Sequence, residues 1–387
     1  MSDFTPIFPQ ELITDILLRL PAKSIGQFRC VSKPWKSLLS NPQFIKSHLA
    51  RQERSSSSHD QEKLILISSS DNSLVTLTFS SNNSSSSSTN DGVSKKISFS
   101  ECQENWDKVV GSCNGLVLVL TNKNSKFLIN PTTFELVKVP NFPLALDTLA
   151  SFSMDGFGYD SSSDDYKIVS LSYYDTDNEH EPDCADTFVD VFSLKMRTWR
   201  RIEPSPYDHA VPELASGVFL NGAIHWLACD TRSEGTPSVI AAFNLNSEEF
   251  VKVPPPSSLD KGKFVFNKLV ALEGCLGMVV DQYNGQIDVW IMKDYGAHDS
   301  WTKFTVNAPE YADIFKPICQ LGEKEVVLEK DGEKLIAYNL TEDSLRDIVV
   351  AGIPDMFEDD VVTFTESLLS PSFYGWNDEQ HIPEGED

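Results

Sequence analysis

The run GSCNG at 111–115 copies the spacing of a nucleophile elbow, with the Cys113 thiol where a serine hydroxyl would attack an acyl carbon. An elbow must pass from strand into helix, so that a helix N-terminus and a neighbouring amide meet the oxyanion. Here LVLVL (116–120) follows at once and reads as strand, which makes the run a turn with a packed thiol. GFG at 156–158 lacks the third glycine of a dinucleotide loop and precedes no helical pattern, so it also reads as a turn. Asp175, Asp177 and Glu179 have the spacing of the first ligands of a calcium loop, but His180 stands where glycine makes the bend and Asp186 is a short substitute for the bidentate glutamate. His225, beside Trp226 in AIHWLA, is expected to be packed or hydrogen-bonded within a sheet. The chain is therefore expected to be non-catalytic, with no metal and no cofactor.

The elements around these residues are strands. LILI (64–67), LVTLTF (74–79), YKIVSL (166–171), FVDVFSL (188–194), VIAAFNL (239–245) and QIDVWIM (286–292) are rich in β-branched and aromatic residues and bounded by Gly, Asn, Asp or Pro. No helical pattern of comparable length interrupts them. FLINPTTFELVKVP, VFSLKMRTWRRIEPSP, AFNLNSEEFVKVPPP, WIMKDYGAHDSWTKFTV and YNLTEDSLRDIVV read as five copies of one hairpin. Their anchors Phe134, Trp199, Phe250, Trp301 and Leu345 stand 65, 51, 51 and 44 residues apart. That is the range of propeller blades, near the roughly 50-residue kelch period. Strand-like sequence remains before the first copy, and VVTFTESLL (361–369) follows the last, so the C-terminal strand is expected to complete the first blade and leave no open edge. The expected fold is a small all-α module before a large all-β domain, a closed propeller of about six blades.

The α module is PQELITDILLRLPAKSIGQFRCVSKPWKSLLSNPQF at 9–44. Leu12, Ile13, Ile16, Leu17 and Leu20 recur at three- and four-residue spacing after Pro9, and Pro21 stops the helix. A second helix over 22–31 carries Ile25 and Phe28; Ser32 and Pro34 open a third bearing Trp35, Leu38 and Leu39; Asn41 and Pro42 repeat the signature before Phe44. So short a segment has no room for a private core, and something else must cover its apolar surface.

These residues resemble a plant-type F-box: Phe8, Pro9 and Leu12, then ILLRLPAKSI (16–25), RCVSK (29–33) with Trp35, and Leu38 to Phe44. Two positions depart, with Phe8 where Leu is commoner before the proline and Phe28 where Leu usually follows the second helix's Ser-Ile pair. Both stay apolar. GSCNGL (111–116), GFGYDSSSDDYKIV (156–169), FLNGAIHWLA (219–228), LEGCLGMV and DVWIMKDYG resemble the F-box-associated domain of plant F-box and F-box/kelch proteins, although the Gly-Gly pair of true kelch blades is missing. The resemblance implies a substrate receptor of a ubiquitin ligase. In it the F-box binds a Skp-type adaptor, joined through it to cullin and RING subunits, and the β domain holds an unidentified protein target. Pro9, Leu12, Ile13, Ile16, Leu17, Leu20, Pro21, Ile25, Val31 and Trp35 are the implied adaptor residues, filling its groove or ordering the helices that do. Target contacts are expected in loops 80–91, 175–186, 204–213 and 229–237. The other readings are an F-box scaffold outside any ligase and a propeller enzyme acting on glycans. The enzyme would need carboxylates or arginines converging on the central channel.

Boundaries follow at 1–50 for the F-box, 51–61 for a linker, 62–370 for the β domain and 371–387 for an acidic tail. Residues 1–54 hold eight Lys/Arg against four Asp/Glu, whereas the other 24 basic and 53 acidic residues leave the rest at −29. Such a field disfavours nucleic acid. Ten carboxylates and no Lys or Arg lie from 351 onward, and six more lie in DTDNEHEPDCAD at 175–186. Seven widely spaced cysteines without a C-x-x-C pair read as reduced thiols. No stretch is long and apolar enough to span a membrane, and MSDFTPIFPQE has no secretory pattern, so the expected location is cytoplasmic or nuclear, without membrane contact.

Overall fold

The structure is a computed structural model that describes residues 9–55, 62–79, 91–100, 102–141, 151–174, 187–209, 215–229, 238–256, 268–281, 286–307, 315–322, 324–354, 356–357 and 361–374. Four helices come first: α1 (Gln10–Leu17), α2 (Ala22–Phe28), α3 (Lys33–Leu39) and α4 (Pro42–Ser55). Their boundaries follow local chemistry. Pro9 and Pro21 precede α1 and α2, the Ser32 hydroxyl accepts the Trp35 amide at 3.3 Å, and Asn41 Oδ1 accepts the Gln43 amide at 2.8 Å. Helix α4 continues to Ser55, so the stretch read as a linker from 51 begins as helix.

All else is strand. Blade 1 holds β1 (Glu62–Ile67), β2 (Leu74–Phe79) and β3 (Gly92–Ile97); blade 2 holds β4 (Trp106–Cys113), β5 (Leu116–Thr121), β6 (Lys126–Asn130) and β7 (Glu135–Lys138). Blade 3 is β8 (Ser151–Asp160), β9 (Asp165–Tyr174), β10 (Phe188–Ser193) and β11 (Thr198–Ile202). Blade 4 is β12 (Val218–Leu220), β13 (Ala223–Cys229), β14 (Ser238–Asn244) and β15 (Glu249–Val253). Blade 5 is β16 (Lys268–Leu272), β17 (Cys275–Asp281), β18 (Gln286–Met292) and β19 (Trp301–Asn307). Blade 6 is β20 (Phe315–Leu321), β21 (Glu325–Lys330), β22 (Lys334–Asn339) and β23 (Ser344–Asp347). The chain then returns to blade 1 twice: β24 (Val350–Ala351) lies parallel to β3 at the outer edge, and β25 (Val362–Thr365) pairs antiparallel with β1 at the inner edge. The six inner strands β25, β4, β8, β12, β16 and β20 each touch the next, so the blades form a ring. The expected C-terminal closure is what the chain adopts, and β24 adds an outer seam. There Asp91 accepts the Val349 amide at 2.9 Å, and Arg346 reaches both Asp91 and Glu325.

The five repeated hairpins are the outer pairs of blades 2 to 6. Their cross-strand register aligns Ile129 with Leu136, Phe192 with Trp199, Phe243 with Phe250, Met292 with Trp301 and Tyr338 with Leu345. The blade 2 anchor is therefore Leu136. Phe134 occupies the last turn position at φ 59°, the place that Arg197, Glu248 and Asp343 take in their blades, and its ring lies exposed under Lys95. Asn130, Asn244 and Asn339 open these turns, each side-chain oxygen accepting amides two and three residues on.

The GSCNG run is a strand-to-strand hairpin. Asn114 and Gly115 have φ of 54° and 80°, the two positive values of a type I′ turn, and Cys113 is buried beneath them. Asn221-Gly222 and Glu273-Gly274 repeat this turn in blades 4 and 5. GFG is not a turn: Gly156 and Gly158 lie inside β8 because blade 4 comes too close for a side chain. A Cβ at Gly158 would stand 2.2 Å from Phe219 Cδ2. Gly158→Ala should therefore cost about 1–3 kcal/mol through overpacking, read as a lowered urea midpoint at unchanged slope.

Trp199 donates to the Pro140 carbonyl at 2.7 Å and Trp301 to the Pro254 carbonyl at 3.0 Å, each bridging from its own outer strand to the exit of the preceding blade. Trp226 is buried against Gly156 and Gly217.

Candidate protein-docking site

The F-box-like helices have two apolar faces with opposite fates. On α1, Leu12 and Ile16 lie four residues apart and remain 55% and 60% exposed, beside exposed Pro9. Val31, after α2, is 67% exposed, and Pro21 is exposed at the start of α2. Leu17 and Ile25, by contrast, are buried; Ile13, Leu20 and Trp35 are half-buried, with Trp35 edge-on to Phe28 at 5.5 Å. Of the ten residues inferred from the sequence, five thus face outward and five turn wholly or partly inward. Asp15 on α1 accepts from Arg19 and Arg51, and these bonds, that of Arg19 foremost, hold its carboxyl below the usual range.

What covers the inward face is the protein's own propeller. Leu17, Ala22, Ile25, Leu39, Phe44 and Ile45 belong to one buried cluster with Val110, Cys113, Leu116, Phe157, Tyr166 and Leu368. Part of the apolar surface expected to need a cover is thus covered within the chain itself. Arg29 crosses the junction, donating to the Leu39 carbonyl at 3.0 Å and the Leu368 carbonyl at 3.5 Å, and Lys46 of α4 pairs with Asp164 of blade 3. His48, also on α4, is buried and stacks on Phe44; burial pushes its pKa down, so the neutral ring donates from Nε2 to the Leu20 carbonyl at 2.8 Å and fixes the end of α1. Arg29 stood out only as part of the RCVSK run, and Lys46 and His48 carried no sequence signal beyond their place on a helix. Phe373 and Tyr374 did: two adjacent aromatics in a stretch read as acidic tail, and both pack against this cluster.

Strand order also sorts the four candidate target loops. In blades 2 to 6 the first-to-second and third-to-fourth turns lie on one face of the ring, and the N-terminal helices sit there, against residues 113–116 and 164. The strands flanking 175–186, 204–213 and 229–237 end on the opposite face, whereas β2 ends and β3 begins on the F-box side. Residues 80–90, 175–186, 210–213 and 230–237 themselves lie outside the described residues, as do the candidate calcium-loop residues. Within 204–209, His209 is buried beside Trp226 and Phe250, with Nε2 2.7 Å from the Ser205 hydroxyl. Burial lowers its pKa to about 3.

His225 is fully buried on β13. Its Nδ1 lies 3.0 Å from the Val218 carbonyl, which can only accept, so Nε2 is bare and accepts the Tyr295 hydroxyl at 2.6 Å. Burial lowers this histidine to about 4, keeping it neutral; Nδ1 ties β13 to β12 within blade 4, and Nε2 reaches Tyr295 of blade 5. Among the described residues no group of three His, Cys, Asp or Glu is placed to hold a metal, and no helix is long and apolar enough to cross a membrane.

The chain matches the F-box domain over residues 6–47 and the F-box associated beta propeller domain over residues 63–368. It is 29% identical to F-box protein CPR1 of Arabidopsis thaliana over 373 residues, covering 92% of this chain and 87% of that protein. An Arabidopsis thaliana F-box/kelch-repeat protein is 28% identical, with 86% of this chain and 87% of the relative covered. Another F-box protein of that plant is 26% identical over 90% of this chain and 89% of its own length. Both halves of the fold are matched, and the chain belongs to the F-box proteins that carry an F-box associated beta propeller domain.

Proposed function

We propose that this protein is the substrate-recognition subunit of a Skp-cullin-F-box ubiquitin ligase. One observation carries the reading: the F-box helices sink one apolar face into the propeller and leave Pro9, Leu12, Ile16 and Val31 exposed on the other, as a surface for a partner would require. The partner is a Skp-type adaptor, which brings cullin and RING subunits. The propeller holds a protein target and raises the local concentration of its lysines near the conjugating enzyme. The strands flanking three of the four candidate loops end on the face turned away from the F-box, which supports target binding on that face. The receptor is non-catalytic and works in the cytoplasm or nucleus. "Kelch-like" describes its hairpin period and nothing more.

The test is reconstitution of the full chain with adaptor, cullin, RING protein and conjugating enzyme, together with proteins enriched by proximity labelling under proteasome block. Ubiquitin transfer to an enriched protein that depends on this chain is the expected result. Adaptor binding without transfer to any of them would favour a scaffold outside the ligase, and absence of adaptor binding would overturn the reading.

A further inference from the structure

The motif GFGYDSSSDDYKIV and the segment after β25 meet at a place that neither blade packing nor an adaptor surface explains. From Thr365 the chain leaves the inner edge of blade 1 and runs over the F-box side of the ring. Asn130, fully buried, holds it by donating to the Ser367 and Leu369 carbonyls at 3.1 and 2.7 Å. Leu368 and Leu369 are buried in the cluster shared with α2, α3 and α4, and Arg29 reaches back to the Leu368 carbonyl. Farther on, the Tyr374 hydroxyl donates to the Asp164 carbonyl at 2.5 Å, and its own carbonyl accepts from Arg197 at 3.3 Å.

Asp164 is the crossing point. Held at φ 53° by the turn of blade 3, it accepts the Tyr159 hydroxyl at 2.6 Å and pairs with Lys46, whose ammonium lies 5.6 Å from the centre of the Phe373 ring. Asn114 of blade 2 donates to the Tyr166 hydroxyl at 2.9 Å, tying the turn to the preceding blade. One residue thus meets the F-box, the propeller and the C-terminal segment at once.

We propose that the 159–166 turn and residues 366–374 form an intramolecular socket whose occupant is the chain's own F-box, so that F-box and propeller are held as one rigid body. The C-terminal segment is the strap of that socket, and the Leu12–Ile16 face lies outside it. In a two-part receptor this fixes the direction in which the propeller is presented, a geometry that a flexible connection would average away.

Hydrogen exchange on the full protein tests the socket directly, by comparison with a chain ending after Tyr374 and one ending after Leu369. The chain ending after Tyr374 should match the full protein. In the chain ending after Leu369, amides of α2 to α4 should exchange about tenfold faster or more while those of β14, β17 and β21 stay unchanged. Unchanged exchange in α2 to α4, or equal acceleration in both truncations, overturns the proposal. Should the shorter chain not fold, Tyr374→Phe combined with Lys46→Ala must accelerate the same helices without touching β14, β17 and β21, and failure to do so overturns it equally.

Discussion

Leu12→Asp combined with Ile16→Asp is expected to lower affinity for a Skp-type adaptor by about a hundredfold or more while leaving the thermal midpoint of the protein within a few degrees of its original value. Apolar anchors at the centre of an interface cost about 2 kcal/mol or more each when removed, and two such losses multiply in the binding constant. The fold survives because both side chains already stand in water, at 55% and 60% exposure, and give up little on becoming polar. An aspartate at 12 lies in the first turn of α1, where the helix dipole favours it; at 16, near the last turn, it is disfavoured by only some tenths of a kcal/mol. Ile25→Ala is the contrasting variant. That side chain is fully buried, and its truncation should cost about 2–5 kcal/mol of stability. Leu20 is a poorer choice for separating binding from folding, because it is half-buried and its carbonyl receives His48. Calorimetric titration with purified adaptor, paired with thermal unfolding, decides the matter. Undiminished binding by the doubly substituted, folded protein would put the docking surface elsewhere.

The repeats, the blade number and the closing strand were legible because each rests on local chemistry. Asn-Gly and Asn-x-x-x turns punctuate the chain at fixed offsets, and alternation of β-branched residues marks the strands between them. The error at Phe134 shows where that legibility stops. An aromatic after a polar turn looks like the anchor of a strand, but the turn in FLINPTTFELV ends one residue later, so that Phe134 closes it in the left-handed region and Leu136 takes the packing role. GFG misled for a related reason: glycine pairs mark turns unless another blade demands their missing side chains, and Phe219 lies 61 residues from Gly158 in sequence. The docking face was half legible. Periodicity found the apolar stripe of α1, but which side of it meets the propeller depends on Leu116, Phe157 and Leu368, contacts no window of sequence contains. The same holds for Tyr166. The nearby carboxylates Asp160 and Asp165 bond within their own blade, whereas the Tyr166 hydroxyl is bonded by Asn114 of the preceding one.

Lys167→Met should markedly destabilise the propeller. Lys167 stands on β9 with its side chain only 9% exposed, and its ammonium donates to Asp160 at 2.9 Å, to the Leu245 carbonyl at 2.6 Å and to Glu248 at 2.9 Å, joining blade 3 to blade 4. Methionine keeps the stem and its packing but leaves two carboxylates without their cation. Glu248 retains Arg200, whereas Asp160, 3% exposed, keeps Ser162 and Ser163 among the described residues. Removing one partner of a buried pair costs about 3–5 kcal/mol, and the remaining arginine argues for the lower part of that range. Acidity supplies the diagnostic. Burial alone would raise the Asp160 carboxyl, but the bonds from Ser163, Ser162 and Lys167 outweigh it and hold its pKa below the ordinary value. A depressed carboxyl contributes stability above its unfolded pKa, about 3.9, and loses it as pH falls through the folded value. Burial would lower Lys167, yet Asp160 and Glu248 raise it, so its contribution is present below its unfolded pKa of about 10.4 and lost as pH rises through the folded value. The deficit of Lys167→Met should therefore be flat between about pH 5 and pH 9, and shrink on either side as one partner of the pair loses its charge. Urea unfolding of both proteins across that range measures it. A deficit of the same size at every pH would mean that the stem, and not the ammonium, holds blades 3 and 4 together.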